Sequence, residues 1–214
     1  MENNSVKYRI IGAIIAVTIF FIGLYLDNYY LRMATKPIPL FILISLIKPS
    51  THYRKFIMIG LIFSVLGDIL LESSPKMFAF GLVAFLIGHI NYIIAFKARS
   101  NKLNIVTAII LLAFGASLYY ILYPGLGEMA IPVLLYILVI LTMEWRAFSQ
   151  RKFDVFAIFA FIGSLFFVFS DSLIALNKFY MPLPYSRGVI MITYWTAQSL
   201  IFYSAFKSEL KNSL

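Results

Sequence analysis

The sequence predicts an all-α polytopic membrane protein: a bundle of eight transmembrane helices forming one integral membrane domain over residues 1–214, with both termini in the cytoplasm. Three observations carry this expectation. Of 214 residues, 62% are hydrophobic and only 13% charged, at a mean hydropathy of +0.90, which is more apolar surface than a soluble domain of this length can hide. The apolar residues fall in runs near the ~20 residues that cross hydrocarbon as a helix. The basic residues sit between those runs and alternate in abundance from one gap to the next.

In chain order, the apolar segments cover roughly 8–26, 37–48, 56–72, 77–96, 103–122, 129–145, 154–176 and 188–206. The first follows Lys7 and Arg9 as a signal peptide would, but LDNYYLRMATK offers no small-x-small cleavage site, so it reads as a helix that stays. The second, PIPLFILISLI, is short; Pro37 suits a first helical turn, and tilt of the first segment would help it span. ESSPK at 72–76 is a tight break between the third and fourth. With eight crossings, thirteen of the 18 Lys and Arg residues fall on one side and five (Arg32, Lys36, Lys76, Lys178, Arg187) on the other. That asymmetry makes the richer side cytoplasmic and the chain a multi-pass protein of the cell membrane, the inner membrane in a bacterial source.

The net charge of +9 is this topology signal rather than a nucleic-acid surface, and no nucleic-acid partner is expected. The absence of cysteine excludes disulfides, thiolate metal sites and cysteine nucleophiles. A three-histidine zinc site is excluded too, since one of the two histidines, His52, lies in a polar loop. No metal or cofactor is expected.

Against this background Asp68 and Asp171 stand out. A carboxylate in a spanning helix costs about 2.5–3.5 kcal/mol on insertion scales, so it faces a bundle interior or a wet cavity and marks function by default. Ser64, Gly67, Asp68 and Leu71 share one helical face of the third segment. Gly81, Phe85, Gly88, His89, Tyr92 and Phe96 do so on the fourth, Gly163, Phe167, Ser170 and Asp171 on the seventh, and Tyr194, Ala197 and Gln198 on the eighth. The small residues let these faces pack closely. Both aspartates lie about one turn inside the non-cytoplasmic ends, where Lys36 can join them; His89 lies nearer mid-membrane and can floor the same cavity. FSVLGD and FVFSD end the third and seventh segments while AFK closes the fourth and eighth, the trace of a possible parallel four-helix repeat.

FSxxGDxxL at 63–71, Gly81, Phe85, GHxxY at 88–92, GSLFFxFSDSLIA at 163–175, YWTAQxLI at 194–201 and the early Lys36-Pro37 pair together resemble the YhhN-like lysoplasmalogenase family of eight-helix membrane proteins. The resemblance implies hydrolysis of the vinyl-ether bond of lysoplasmalogens, with a lysophospholipid substrate and Asp68 and Asp171 as the functional carboxylates. The chemistry fits. Protonating a vinyl-ether carbon creates an oxocarbenium ion, water traps it as a hemiacetal, and the hemiacetal collapses to an aldehyde. Two carboxyl groups in a dry site can divide the roles of acid and base or stabiliser, as they do in glycosidases. Lys36 would hold the phosphate or offset negative charge, with Arg187 a weaker candidate. Ser64, His89, Tyr92, Ser170, Tyr194 and Gln198 would bind substrate or support the carboxyls.

Two other classes share these features. A small proton-coupled transporter also uses buried acids, a histidine and internal repeats. A metal-dependent hydrolase of other lipids would call on the same Asp and His set.

Overall fold

A computed structural model describes residues 2–207. Among them nine α-helices follow one another: α1 (Glu2–Tyr25), α2 (Tyr29–Thr35), α3 (Ile38–Leu46), α4 (His52–Ser73), α5 (Phe78–Arg99), α6 (Ile105–Leu126), α7 (Ala130–Gln150), α8 (Ala157–Phe179) and α9 (Ser186–Lys207). Lys211, counted in the basic asymmetry, lies outside the described residues. Six stretches among these residues are long and apolar enough to cross a membrane. One of them, the 46-residue Ile105–Gln150, is a hairpin of α6 and α7, because Trp145 donates to the Asn104 carbonyl at 2.9 Å near its open end and Tyr119 to that of Ala130 at 3.3 Å near its turn. The reversal falls at Gly127, whose φ of +51° is open to glycine at little cost.

The second sequence segment is built differently from the single helix expected over 37–48. Asn28 caps a short α2 by accepting from the Leu31 amide at 3.1 Å, and Pro37 then opens α3 with the fixed φ of a first helical turn. The break leaves Lys36 at the joint, where its side chain turns inward. The sixth segment, expected to end near 145, continues to Gln150. Its extra turn is held by Arg146, whose guanidinium donates to the carbonyls of Ser100 and Lys102 and is thereby buried.

Packing places the polar faces together. α4 and α5 form one close hairpin and α8 and α9 another. In the first, the backbones meet where Gly88 faces the Gly60 carbonyl; a Cβ at Gly88 would lie 3.2 Å from that oxygen. In the second, a Cβ at Gly163 would lie 2.8 Å from the Ala197 carbonyl oxygen. Glycine at these crossings is a requirement of size. α7 packs on α5 and α8, and α9 reaches back to α3 and α4. The surface is rich in exposed aliphatic and aromatic side chains such as Ile14, Ile110, Leu135 and Phe169. Ser64, Asp68, His89, Glu144, Ser164 and Gln198 are all at most 2% exposed. Polar groups inside and apolar groups outside is the distribution lipid imposes.

Candidate active site

The interior polar groups divide into two nests on either side of an aromatic wall. In the first, Asp68 of α4 accepts a hydrogen bond at Oδ2 from the Tyr194 hydroxyl of α9, 2.8 Å away. Its Oδ1 is 4.0 Å from Lys36 Nζ, and the same ammonium lies 3.3 Å from Glu72 Oε2. Arg32 extends the row, donating from Nε to Glu72 Oε1 and from a terminal nitrogen to Asp27 Oδ1, both at 2.9 Å. The result is a chain of alternating charge, Asp27–Arg32–Glu72–Lys36–Asp68, running from the exposed end of the bundle to a buried carboxyl.

In the second nest, Asp171 of α8 accepts at Oδ2 a short hydrogen bond from the Tyr136 hydroxyl of α7. That hydroxyl oxygen is 3.1 Å from His89 Nε2, which is itself 3.5 Å from Asp171 Oδ2. Since Tyr136 donates to the carboxyl, its oxygen is the acceptor, and the Nε2–H tautomer of His89 completes a one-way chain from His89 to Tyr136 to Asp171. His89 Nδ1 is buried without a partner among the described residues.

Between the nests stand Phe85 and Phe167. Tyr194 packs edge-on against both, with ring centroids 5.8 and 5.4 Å apart, and His89 packs on Phe167 at 4.6 Å. α4 and α8 do not pack against each other as α4–α5 and α8–α9 do; α9 packs on both, and the Phe85 and His89 rings of α5 meet Phe167 of α8.

An apolar cavity opens on the second nest. Its walls are almost wholly apolar, with Leu82, Phe85, Phe114, Ile140 and Ala175 among them, and Asp171, Ser172 and Tyr136 supply the polar groups. Asp68 is not part of this lining.

Of the residues singled out in the sequence, Lys36 therefore joins Asp68 and Glu72, whereas Asp171 is held by Tyr136 and His89. The Tyr92 hydroxyl donates to Gln198 Oε1 at 2.7 Å. Ser64 donates to the Gly60 carbonyl at 2.9 Å and Ser170 to that of Ile190 at 3.2 Å, so neither donates to a carboxylate. Arg187 is exposed. Sequence reasoning did not single out Glu72, Arg32 or Glu144. Glu144 is 1% exposed and accepts a short hydrogen bond from Ser164 of α8. Among the described residues no three His, Asp or Glu side chains gather as metal ligands would.

Known proteins place the chain. Lysoplasmalogenase TMEM86A of Homo sapiens is 38% identical over 160 residues, 72% of this chain and 66% of that protein. Lysoplasmalogenase TMEM86B of Homo sapiens is 35% identical over 162 residues, 76% of this chain and 68% of that protein. A lysoplasmalogenase homolog of Dictyostelium discoideum is 26% identical over 210 residues, 83% and 67% of the two chains. The chain thus spans about two thirds of the length of the curated relatives it matches. No solved structure matches it. The family model described as YhhN family matches residues 31–205, which include the cavity and every residue of both nests but Asp27, and the chain belongs to the YhhN family.

Proposed function

We propose that this chain is a membrane hydrolase that cleaves the vinyl-ether bond of lysoplasmalogens, releasing a fatty aldehyde and the glycerophospho head group. The observation that carries this reading is Asp171, tied to Tyr136 and His89 at the polar point of an otherwise apolar cavity, in a chain whose curated relatives bear the name lysoplasmalogenase.

The alkenyl chain occupies the apolar cavity, which sets the vinyl-ether carbons beside Asp171. The Asp171 carboxyl transfers its proton to the alkenyl carbon remote from oxygen, and positive charge develops on the carbon bonded to oxygen. Water adds there and gives up a proton to a carboxylate, forming the hemiacetal. The carbon–oxygen bond to glycerol then breaks: the glycerol oxygen takes a proton, the hemiacetal hydroxyl loses one, and aldehyde departs. No proton is gained or lost overall beyond the water consumed. Tyr136 and His89 orient the Asp171 carboxyl and relay its proton, while Asp68 is the second carboxylate that offsets the cation. Lys36, at the inner end of the charged row, receives the phosphate.

The same reading takes the chain across the cell membrane eight times with both termini in the cytoplasm, α2 and α3 together making the second crossing. It also makes α1–α5 and α6–α9 the two halves of a parallel four-helix repeat, in which α4–α5 corresponds to α8–α9. Supporting this, Gly60 and Gly163 each precede their helix's aspartate by eight residues and each sits at the close crossing of its hairpin.

Aldehyde release by detergent-purified protein from a defined lysoplasmalogen tests the proposal. Asp171→Asn should lower turnover by about 10²–10⁴, the span of general acid catalysis. Full retention of turnover in both Asp171→Asn and Asp68→Asn, or no turnover by the wild-type protein, sinks it.

A further inference from the structure

At the bundle end opposite the two aspartates, the last turn of α5, the start of α6 and the last turn of α7 enclose an open cleft of about 880 Å³. Four cations line it: Arg99, Lys102, Arg151 and Lys152. Two are fixed in place. The Arg99 guanidinium stacks 3.2 Å above the Tyr53 ring and lies 3.9 Å from Asp154. Arg151 stacks 3.4 Å from the Phe148 ring and donates to the Phe148 carbonyl at 2.7 Å. Asp154 is in turn engaged in accepting the Phe156 and Ala157 amides at 2.8 and 2.7 Å. Among the described residues around this cleft, four cations face one carboxylate, Asp154.

Gln150 also lines the cleft and is fully buried. Its Nε2 donates to the Ala157 carbonyl at 3.2 Å, which fixes the amide's orientation, and its Oε1 has no hydrogen-bond partner among the described residues. An unmet acceptor among cations fits a ligand that brings both an anion and a hydrogen-bond donor. Leu103, Ile105, Val106 and Phe153, at the cleft's edge, are each more than half exposed. Beside them Trp145 donates to the Asn104 carbonyl at 2.9 Å, an indole where an interfacial belt would stand. An apolar rim at headgroup level favours a ligand that carries acyl chains.

We infer that this cleft is a binding site for a phospholipid headgroup of the phosphoglycerol class, its phosphate among Arg99, Lys102, Arg151 and Lys152 and a glycerol hydroxyl donating to Gln150 Oε1. Basic pockets between helices hold anionic headgroups in this way. The site lies apart from the aspartates and does not depend on the reaction proposed for them.

Native mass spectrometry of the full-length protein in detergent tests it, with phosphatidylglycerol, phosphatidylcholine, phosphatidic acid or soluble glycerol 3-phosphate added in turn. The wild-type protein should retain phosphatidylglycerol in preference to phosphatidylcholine. Lys102→Gln combined with Lys152→Gln, both exposed positions, should weaken that retention roughly thirtyfold, at about a fivefold loss for each cation near a headgroup. Gln150→Met should remove the preference for phosphatidylglycerol over phosphatidic acid, which lacks the glycerol donor. Equal retention of phosphatidylglycerol and phosphatidylcholine by the wild-type protein overturns the inference without recourse to any variant, as does unchanged retention in the double variant. Retention of glycerol 3-phosphate with no lipid retained overturns the lipid as the source.

Discussion

Tyr136 joins His89 to Asp171 through one hydroxyl, donating to the carboxyl while lying 3.1 Å from the imidazole Nε2. Three helices, α5, α7 and α8, meet at that oxygen. Removing it leaves the carboxyl on the cavity wall but cuts the line of hydrogen bonds behind it. Tyr136→Phe keeps the ring and its packing, so the protein should fold, with turnover of lysoplasmalogen reduced by about 10² or more. A fall in kcat at nearly constant KM in an aldehyde-release assay is the expected result; unchanged kcat would mean that Asp171 works without the phenol.

Lys36 stands between two carboxylates, 3.3 Å from Glu72 and 4.0 Å from Asp68. Lys36→Met would leave Asp68 without its cation and Glu72 with Arg32 alone, and breaking a buried pair in this way costs about 3–5 kcal/mol. Adding Glu72→Gln should recover part of that loss by removing one of the opposed charges. Thermal unfolding of the purified single and double variants reads this directly. Non-additivity is the expected sign of contact, and simple addition of the two effects would show that Glu72 and Lys36 are energetically independent.

Glu144 and Ser164 form a second buried pair, toward the opposite end of α7 from Tyr136. Ser164 donates and Glu144 accepts, a role that a glutamine oxygen can fill. Glu144→Gln should therefore shift stability by no more than about 1 kcal/mol, whereas Glu144→Ala opens a buried void and leaves Ser164 only the Phe161 carbonyl at 2.8 Å, costing about 2–4 kcal/mol. Comparable losses in both variants, measured by thermal unfolding, would show that the carboxylate itself is needed.

How much of this was legible in the sequence follows from contrast. Asp68 and Asp171 are readable because each interrupts a long apolar run, where only an interior position is tolerable. The glycine faces are readable because helical spacing aligns them with the same residues. Glu72, Arg32 and Glu144 carry equal charge but lie near segment ends, in LLESS, YYLRM and TMEWR, where a charge looks like a solvated loop. Their burial comes from tertiary packing: the α2–α3 joint folds inward and α7 runs past its apolar stretch. Likewise, spacing along each helix could align Asp171 with His89 in general direction only. Which tyrosine reaches which acid depends on how α7 and α9 are placed around α5, and local pattern does not encode it. The reciprocity is visible only in three dimensions: His89, on the helix after Asp68, serves Asp171, and Tyr194, on the helix after Asp171, serves Asp68.

Ala175 offers the most direct test of where the substrate chain lies. It lines the cavity one helical turn beyond Asp171 on α8, among Leu82, Phe114 and Ile140 on neighbouring helices. Replacing its methyl with a benzyl group fills part of the cavity while every residue of the His89–Tyr136–Asp171 chain is kept. If the alkenyl chain lies there, Ala175→Phe should exclude long chains and spare short ones. Each methylene denied burial is worth about 0.8 kcal/mol, so losing even two should raise KM roughly tenfold or more for a long-chain lysoplasmalogen. A short-chain analogue, which never reaches Ala175, should keep its KM, and kcat should change little for either. Assaying aldehyde release across a chain-length series separates the outcomes. A uniform fall at every length points to damaged packing of α8, and no change at any length places the alkenyl chain outside this cavity.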